Sequence, residues 1–153
     1  MKKIIFALLV FIAIKTYGQQ PYDHLTIENI NRITVLEFSS IDAYEKLVHG
    51  DDIEKLKSIF YLTIQVSVNN IVNSTTTRTM APNSPYRYKY VFVNELLEYD
   101  ILEKDLFRYI FDPTHPDTIH TGEMTGYVKY PDIDIFKEQN NIELIINMLF
   151  LIK

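Results

Sequence analysis

Apolar residues recur every three or four positions through residues 51–73, which is the spacing of one face of a helix. The residues that share this face are Ile53, Leu56, Phe60, Ile64, Val68 and Ile71. A two-residue alternation, typical of a half-buried strand, competes with this pattern inside the same stretch. The alternating apolar positions are Leu62, Ile64, Val66 and Val68. The apolar pattern by itself therefore leaves both helix and strand open around Leu62.

Apolar residues also dominate residues 135–152, where they cover nearly the whole circumference of a predicted helix. One face of this helix carries Ile142, Ile145, Ile146, Leu149 and Ile152. A helix that is apolar on all sides must be buried against a partner or in lipid. A bilayer takes about 20 residues to cross, and this helix is too short for that. We therefore expect it to pack against another helix of its own chain or of a neighbouring subunit.

The residues between these helices, 77–131, have the pattern of short strands. From Tyr86 to Val93, aromatic residues alternate with charged or aliphatic ones, as on a strand with two different faces. Three further short strands are predicted over residues 98–103, 106–111 and 126–130. The predicted architecture is therefore a helix, a β-rich segment and a second helix.

The first 18 residues are predicted to be a secretory signal peptide. Lys2 and Lys3 precede an unbroken apolar run, Ile4–Ile14, and small residues stand at Thr16 and Gly18 before the expected cleavage point. An uncleaved anchor is the alternative interpretation of the same residues. We expect an exported protein, in which residues 19–50 form an N-terminal extension of uncertain structure before a domain over residues 51–153.

The composition excludes several classes of function. The chain has 153 residues, a net charge of −5 and no cysteine. Without cysteine there is no disulfide, thiolate metal site or cysteine nucleophile. An acidic surface repels the phosphates of nucleic acids, and the sequence contains no G-x-S-x-G nucleophile motif. We predict a non-enzymatic protein that has no cofactor, no nucleic-acid partner and no small-molecule substrate.

One cluster contains residue types that bind divalent metal ions through carboxylate and imidazole groups. The candidate ligands are Asp112, His115, Asp117 and His120. Pro113 and Pro116 exclude a regular helix in this segment, so the side chains do not share a face by regular spacing. The alternative is that the aspartates cap turns through backbone hydrogen bonds. We favour the turn and predict no metal site.

Three blocks of the sequence follow one another in a recognisable order. The first runs through Asn69–Asn73 and Thr76–Thr79 and continues over Pro85–Phe92. The second is Phe107–Asp117, and the third is Gly126–Ile133. Together they resemble the flagellar basal-body rod proteins, in particular the proximal-rod subfamily. The residues assigned to the family motif are Asn70, Ile71, Asn73, Thr76, Thr77, Arg78, Thr79, Pro85, Tyr86, Arg87, Asp112, Pro113, His115, Pro116, Gly126, Tyr127, Val128 and Pro131.

The resemblance implies an α+β fold in which the N- and C-terminal helices pack together as a helical hairpin or coiled coil around a small β-rich middle segment. It assigns a helix to residues 51–73 and to 135–152. The implied helix interface consists of Ile53, Leu56, Phe60, Ile142, Ile145, Ile146 and Leu149. The resemblance further implies a structural subunit that assembles with itself or with other rod-like subunits through these helices. Its implied location is the periplasm or the basal body of a bacterial flagellum.

Two features depart from the family's pattern. Val72 stands where the family has alanine, and the C-terminal helix is shorter than the family's. These departures and the predicted signal peptide motivate a second hypothesis. In it, the protein is an exported periplasmic binding or interaction module that keeps the fold without a flagellar role.

Overall fold

A computed structural model describes residue 25 and residues 27–80 and 84–152. The helices of this part of the chain are α1 (Ile27–Asn31), α2 (Ile41–Val48), α3 (Ile53–Val72) and α4 (Ile135–Leu151). The strands are β1 (Leu36–Phe38), β2 (Tyr88–Val93), β3 (Tyr99–Lys104), β4 (Phe107–Phe111) and β5 (Tyr127–Pro131). The predicted signal peptide over residues 1–18 lies outside the described residues.

The strands form two separate sheets. In the first sheet the order is β1–β2–β3, with β1 parallel and β3 antiparallel to the central strand β2. Leu36 lies opposite Val91 in the parallel pair, and Tyr99 lies opposite Val93 in the antiparallel pair. β4 and β5 form a two-stranded antiparallel sheet. Val91 and Val93 are fully buried because β2 has a strand on either side and also packs against α3.

Aspartate side chains cap the beginning of both long helices. Asp52 Oδ1 accepts a hydrogen bond from the Lys55 amide at 2.9 Å, where α3 begins. Asp134 Oδ1 accepts hydrogen bonds from the amides of Phe136 and Lys137 at 3.1 and 3.2 Å, where α4 begins. The carboxylates pair amide groups that the first turn of a helix leaves free, and their charge suits the positive end of the helix dipole.

The buried face of α3 differs from the apolar face read from the sequence. It consists of Leu56, Ile59, Phe60, Thr63, Val66, Ser67 and Asn70. These positions form one stripe at helical spacing, but three of them are polar. Val68, which the apolar pattern places on the inner face, is 43% exposed. The helical conformation over Ile53–Val72 also excludes the strand alternative around Leu62.

α4 is buried on one side only. Its buried residues are Glu138, Asn141, Ile145 and Met148. α3 and α4 pack against each other, and Phe60 and Ile145 belong to the same core as Val91 of β2. On the other side, Phe150 is 80% exposed. None of the helices in the described part of the chain combines the length and hydropathy that a membrane span requires.

The predicted architecture, a helical hairpin or coiled coil around a small β-rich middle, is wrong, and only the broad α+β class agrees loosely with the structure. α3 is not an N-terminal helix, because α1, β1 and α2 precede it. The β region is not a middle segment, because β1 from before α3 pairs with β2 from after it. The physical reason is the stretch around β1, where Ile33, Val35 and Leu36 are buried. These side chains complete the core that α3 and α4 share with the first sheet.

Replacing Ile145 by alanine is expected to lower the free energy of unfolding by about 2–5 kcal/mol, because it leaves a cavity in the core. Ile145 is fully buried, whereas Ile146 is 39% exposed. The matched variant Ile146→Ala removes the same atoms at the neighbouring position and should cost less than about 1 kcal/mol. Urea denaturation followed by circular dichroism measures both changes. Equal losses would contradict the observed orientation of α4.

Candidate functional site

Asn70 joins α3 to β2 through hydrogen bonds of the kind that strands make with each other. Its side-chain amide donates to the Lys89 carbonyl at 2.9 Å, and its Oδ1 accepts from the Lys89 amide at 3.1 Å. Oδ1 also accepts from the Tyr86 hydroxyl at 3.0 Å. Asn70 is fully buried, so each of these polar groups depends on the others for a partner. One side chain therefore determines where the end of α3 lies on β2.

Glu138 brings a carboxyl group into the same region from α4. It is 2% exposed, and its hydrogen-bonding neighbours are Ser67, Asn70, Tyr88 and Asn141. Burial raises the pKa of this carboxyl above its ordinary value, and the neighbours lower the pKa by a smaller amount. Glu138 Oε2 and Ser67 Oγ are buried without a hydrogen bond of ordinary geometry. Among the described residues, no lysine, arginine or histidine forms an ion pair with Glu138.

Asn141 extends these contacts to the segment before β1. Its Oδ1 accepts from the Thr34 amide at 3.0 Å, and its Nδ2 donates to the Thr34 hydroxyl at 3.1 Å. The resulting cluster, here called the buried polar junction, consists of Ser67, Asn70, Tyr86, Tyr88, Glu138 and Asn141, and Asn141 links it to the exposed Thr34. It connects α3, α4, β2 and the chain leading into β1, and so it sets the positions of these elements relative to one another.

The sequence interpretation singled out Asn70 and Tyr86 and missed Glu138 and Asn141. The spacing of Glu138 and Asn141 from Ile145 along α4 could have identified both residues. Asn141 stands four residues and Glu138 seven residues before Ile145, which places all three on one face of a helix. Because both missed side chains are polar, a search for apolar periodicity passes over them.

The first and second sequence blocks meet at Asp117. Thr77 Oγ1 donates to Asp117 Oδ2 at 2.7 Å, and the Arg78 guanidinium forms an ion pair with the same carboxylate. Nearby, the Tyr86 amide donates to the Thr76 carbonyl at 3.1 Å. These contacts tie the chain that leaves α3 to the turn after β4. They are structural contacts and account for the threonine-rich part of the first block.

The remaining residues of the first block shape the chain between α3 and β2. The Asn73 side-chain amide donates to a carbonyl one turn earlier at 2.9 Å. The Thr79 amide donates to the Ser84 carbonyl at 2.8 Å. Arg87 forms an ion pair with Asp105 at 3.0 Å. Two further residues of the block are half-buried, Ile71 and Pro85.

The segment considered as a metal site has the geometry of a turn. Asp112 Oδ1 accepts from the Thr114 hydroxyl at 2.8 Å and from its amide at 3.1 Å, and these hydrogen bonds lower the pKa of Asp112. His115 Nδ1 accepts from the Asp117 amide at 3.0 Å. The same segment contains Pro113, Pro116 and His120. Within the residues that the structure describes, no three histidine, aspartate or glutamate side chains are grouped so as to hold a metal ion.

The third block positions β5 against β4. Gly126 has φ +87°, and a Cβ at this position would lie 2.5 Å from the Phe111 ring, so a larger residue does not fit. Tyr127 packs edge-on against Phe111, with 5.3 Å between the ring centroids. Val128 is fully buried, and Pro131 lies opposite a residue at the start of β4. This block therefore has a packing role in the second sheet.

The implied helix interface divides into buried and exposed positions. The buried residues are Leu56, Phe60 and Ile145. Ile53 and Leu149 are partly buried and pack against the core. Ile142 is half-buried, and Ile146 is exposed. The helix face read from apolar spacing is thus rotated from the face that the fold buries.

Large apolar side chains remain exposed on both long helices. These outward apolar residues are Tyr61, Val68 and Val72 on α3 and Ile135, Phe136, Ile146, Phe150 and Leu151 on α4. Three of them are far from buried, at 70% for Val72, 79% for Phe136 and 80% for Phe150. Extended exposed apolar surface on a folded chain is typical of a site that binds another protein. The helix pair therefore buries several polar residues beside its apolar core and leaves several large apolar side chains exposed.

Comparison with known proteins relates this chain to the flagellar basal-body rod proteins. The relative is the flagellar basal-body rod protein FlgC of Borreliella burgdorferi, which is 34% identical over 101 residues. The alignment covers 50% of this chain and 66% of the relative, so the chain spans just under two thirds of that protein's length. This similarity supports the relationship to the rod proteins that the sequence blocks suggest. No protein-family model matches the chain.

Replacing Asn70 by alanine is expected to lower the free energy of unfolding by about 1–3 kcal/mol or more, because buried groups of Lys89 and Tyr86 lose their partner. The matched variant Asn69→Ala changes the same residue type at an exposed position, and its effect should stay within about 0.5 kcal/mol. Urea denaturation of both variants measures the difference. Similar stabilities for the two would show that the Asn70 hydrogen bonds contribute little.

Proposed function

We propose that the protein is a structural subunit of a flagellar basal-body rod, or of a rod-like assembly related to it. The observation that carries the proposal is the set of outward apolar residues on α3 and α4. The relationship to FlgC supplies the kind of assembly. More specifically, we propose that neighbouring subunits contact each other through α3 and α4.

The energetic argument rests on the exposed side chains. Burying a large apolar side chain completely contributes about 1.5–3 kcal/mol. Val72, Phe136 and Phe150 are each at least 70% exposed in the single chain, so a contact that covers them recovers most of this free energy. Association must offset the loss of translational and rotational freedom. Covering several such residues on one helix pair offsets part of this cost.

The direction of the helices places these residues at both ends of the pair. Glu138, near the beginning of α4, lies beside Ser67 and Asn70, near the end of α3, so the two helices run antiparallel. Val72 and Phe136 therefore lie toward one end and Phe150 toward the other. A subunit with different apolar sites at its two ends suits head-to-tail contacts, which generate rings or helical filaments.

We also propose that the protein acts without a metal, a cofactor or a small-molecule substrate. The carboxylates that offered the best alternative chemistry are engaged in the fold. Asp112 binds the backbone and hydroxyl of Thr114, and Asp117 binds Thr77 and Arg78. The proposed location is the basal body, reached after export from the cytoplasm. The net charge of −5 disfavours a nucleic-acid partner.

Replacing Phe150 by lysine is expected to weaken self-association of the chain by at least tenfold, since about 1.4 kcal/mol corresponds to a factor of ten. Analytical ultracentrifugation over a range of concentrations measures the association. The matched variant Asn147→Lys introduces the same charge at an exposed polar position of α4 and should leave association unchanged. Thermal denaturation at low concentration checks that both variants keep the fold. A wild-type chain that stays monomeric at high concentration would count against assembly through this face.

A test in cells separates the rod role from the alternative. A tagged chain should co-purify with isolated basal bodies and be seen in the rod by immunoelectron microscopy. The tagged Phe150→Lys variant should be depleted there, and the tagged Asn147→Lys variant should not. An exported interaction module without a flagellar role gives the opposite pattern, with the wild-type chain present in the envelope fraction and absent from basal bodies.

A further inference from the structure

Glu138 is an acid placed where two helices and a sheet meet. It is 2% exposed, and Ser67 and Asn70 of α3, Tyr88 of β2 and Asn141 of its own helix surround it. Its Oε2 has no hydrogen bond of ordinary geometry. An ionised carboxylate in such a place has no ion pair to compensate for the loss of water, and the neighbouring hydrogen-bonding groups compensate only in part.

The groups that face Glu138 carry no charge that could neutralise it. α3 presents Ser67 and Asn70, which do not ionise. β2 presents the phenol of Tyr88, and the segment just before β2 presents the phenol of Tyr86. Burial raises the pKa of both, so both stay neutral over the physiological range. The side chains that Glu138 touches therefore stay uncharged while Glu138 itself titrates.

The charged residues on the neighbouring elements are engaged elsewhere. On α4, Lys137 pairs with Asp134 at 3.7 Å. On β2, the Lys89 ammonium pairs with Glu103 at 3.6 Å and lies over the Tyr86 ring. On β1, Glu37 forms an ion pair with Lys104 of β3.

We propose that Glu138 is a proton-dependent contact that holds α4 in place: its neutral acid form keeps the helix in the buried polar junction, and its ionised form releases the first half of α4. The neutral acid has a proton to donate, and Ser67 Oγ beside it is an acceptor that has no hydrogen bond of ordinary geometry. When the proton passes to solvent, the carboxylate must stay buried without a donor for Oε2 or turn outward. Because the first half of α4 carries Phe136, this movement also displaces one of the outward apolar residues. The inference concerns the fold of the chain itself and does not depend on the proposed rod role.

The direction of the pH effect follows from the raised pKa. The ordinary value is 4.5, and above it the unfolded chain loses the Glu138 proton while the folded chain keeps it. Stability from this group is therefore complete below pH 4.5 and is lost as the pH rises through the pKa of the folded state. Within that interval the folding equilibrium constant should fall by about tenfold per pH unit from this group alone.

The direct experiment compares wild type with Glu138→Gln and Glu143→Gln, by urea denaturation from pH 4 to pH 8. Glutamine keeps the shape of the acid and cannot ionise, so the stability of Glu138→Gln relative to wild type should increase with pH. Glu143 is exposed on the same helix, and its variant should follow the wild-type profile. Parallel profiles for wild type and Glu138→Gln would overturn the proposal.

A second measurement uses the wild-type chain alone and decides the question even where Glu138→Gln fails to fold. Carbon-13 NMR of the glutamate carboxyl groups should show one group that titrates above pH 4.5, assigned to Glu138. Hydrogen exchange, corrected for intrinsic rates, should show protection falling in the first half of α4 over the same pH interval while that of β2 persists. A Glu138 carboxyl that titrates at its ordinary pH, or uniform protection across α4 at every pH, would overturn the proposal.

Discussion

The hydrogen bonds between Asn70 and the backbone of Lys89 are the interaction on which the rest of the structure depends. A helix and a strand have no complementary backbone groups to offer each other, since the helix uses its own. The Asn70 side chain presents one donor and one acceptor and so pairs with β2 as another strand would. Buried groups of this kind tolerate one arrangement, because any other leaves them unpaired. The end of α3 is thereby held at one place on the first sheet.

The second constraint is that the α4 residue beside Asn70 is an acid, Glu138, rather than an apolar residue. A Leu or Ile at position 138 would pack against many arrangements of α3 and β2, whereas Glu138 needs the neighbours that surround it. Polar groups in a core cost stability and restrict the structure to the arrangement that satisfies them. Asn141 acts in the same way on the segment before β1, because its side chain forms hydrogen bonds with Thr34. In this way the chain segment before β1, both long helices and the sheet become one unit.

The same two helices also have exposed faces. Asn70, Glu138 and Asn141 lie on the buried faces of α3 and α4 together with apolar core residues. Val72 and Phe150 lie on the exposed faces and remain uncovered in the single chain. In a rod of packed subunits they would meet neighbours, and the rigid centre would keep them in register. The similarity to FlgC is consistent with that use of the fold. The sequence blocks contact one another at Asp117 and along β5.

Features that depend on neighbours along the chain could be predicted from the sequence. Helical spacing marks residues 51–73 and 135–152, alternation marks Tyr86–Val93, and the ordered blocks carry the resemblance to the rod proteins, since each is a property of residues close together in sequence. The fold was needed to show that β1 pairs with β2, that the helices do not form a hairpin around an insert, and that Glu138 is buried. Pairing Leu36 with Val91, or Asn70 with Lys89, joins positions far apart in the chain. Periodicity relates only residues of one element, and so it could not choose which face of α3 and α4 the rest of the chain would bury.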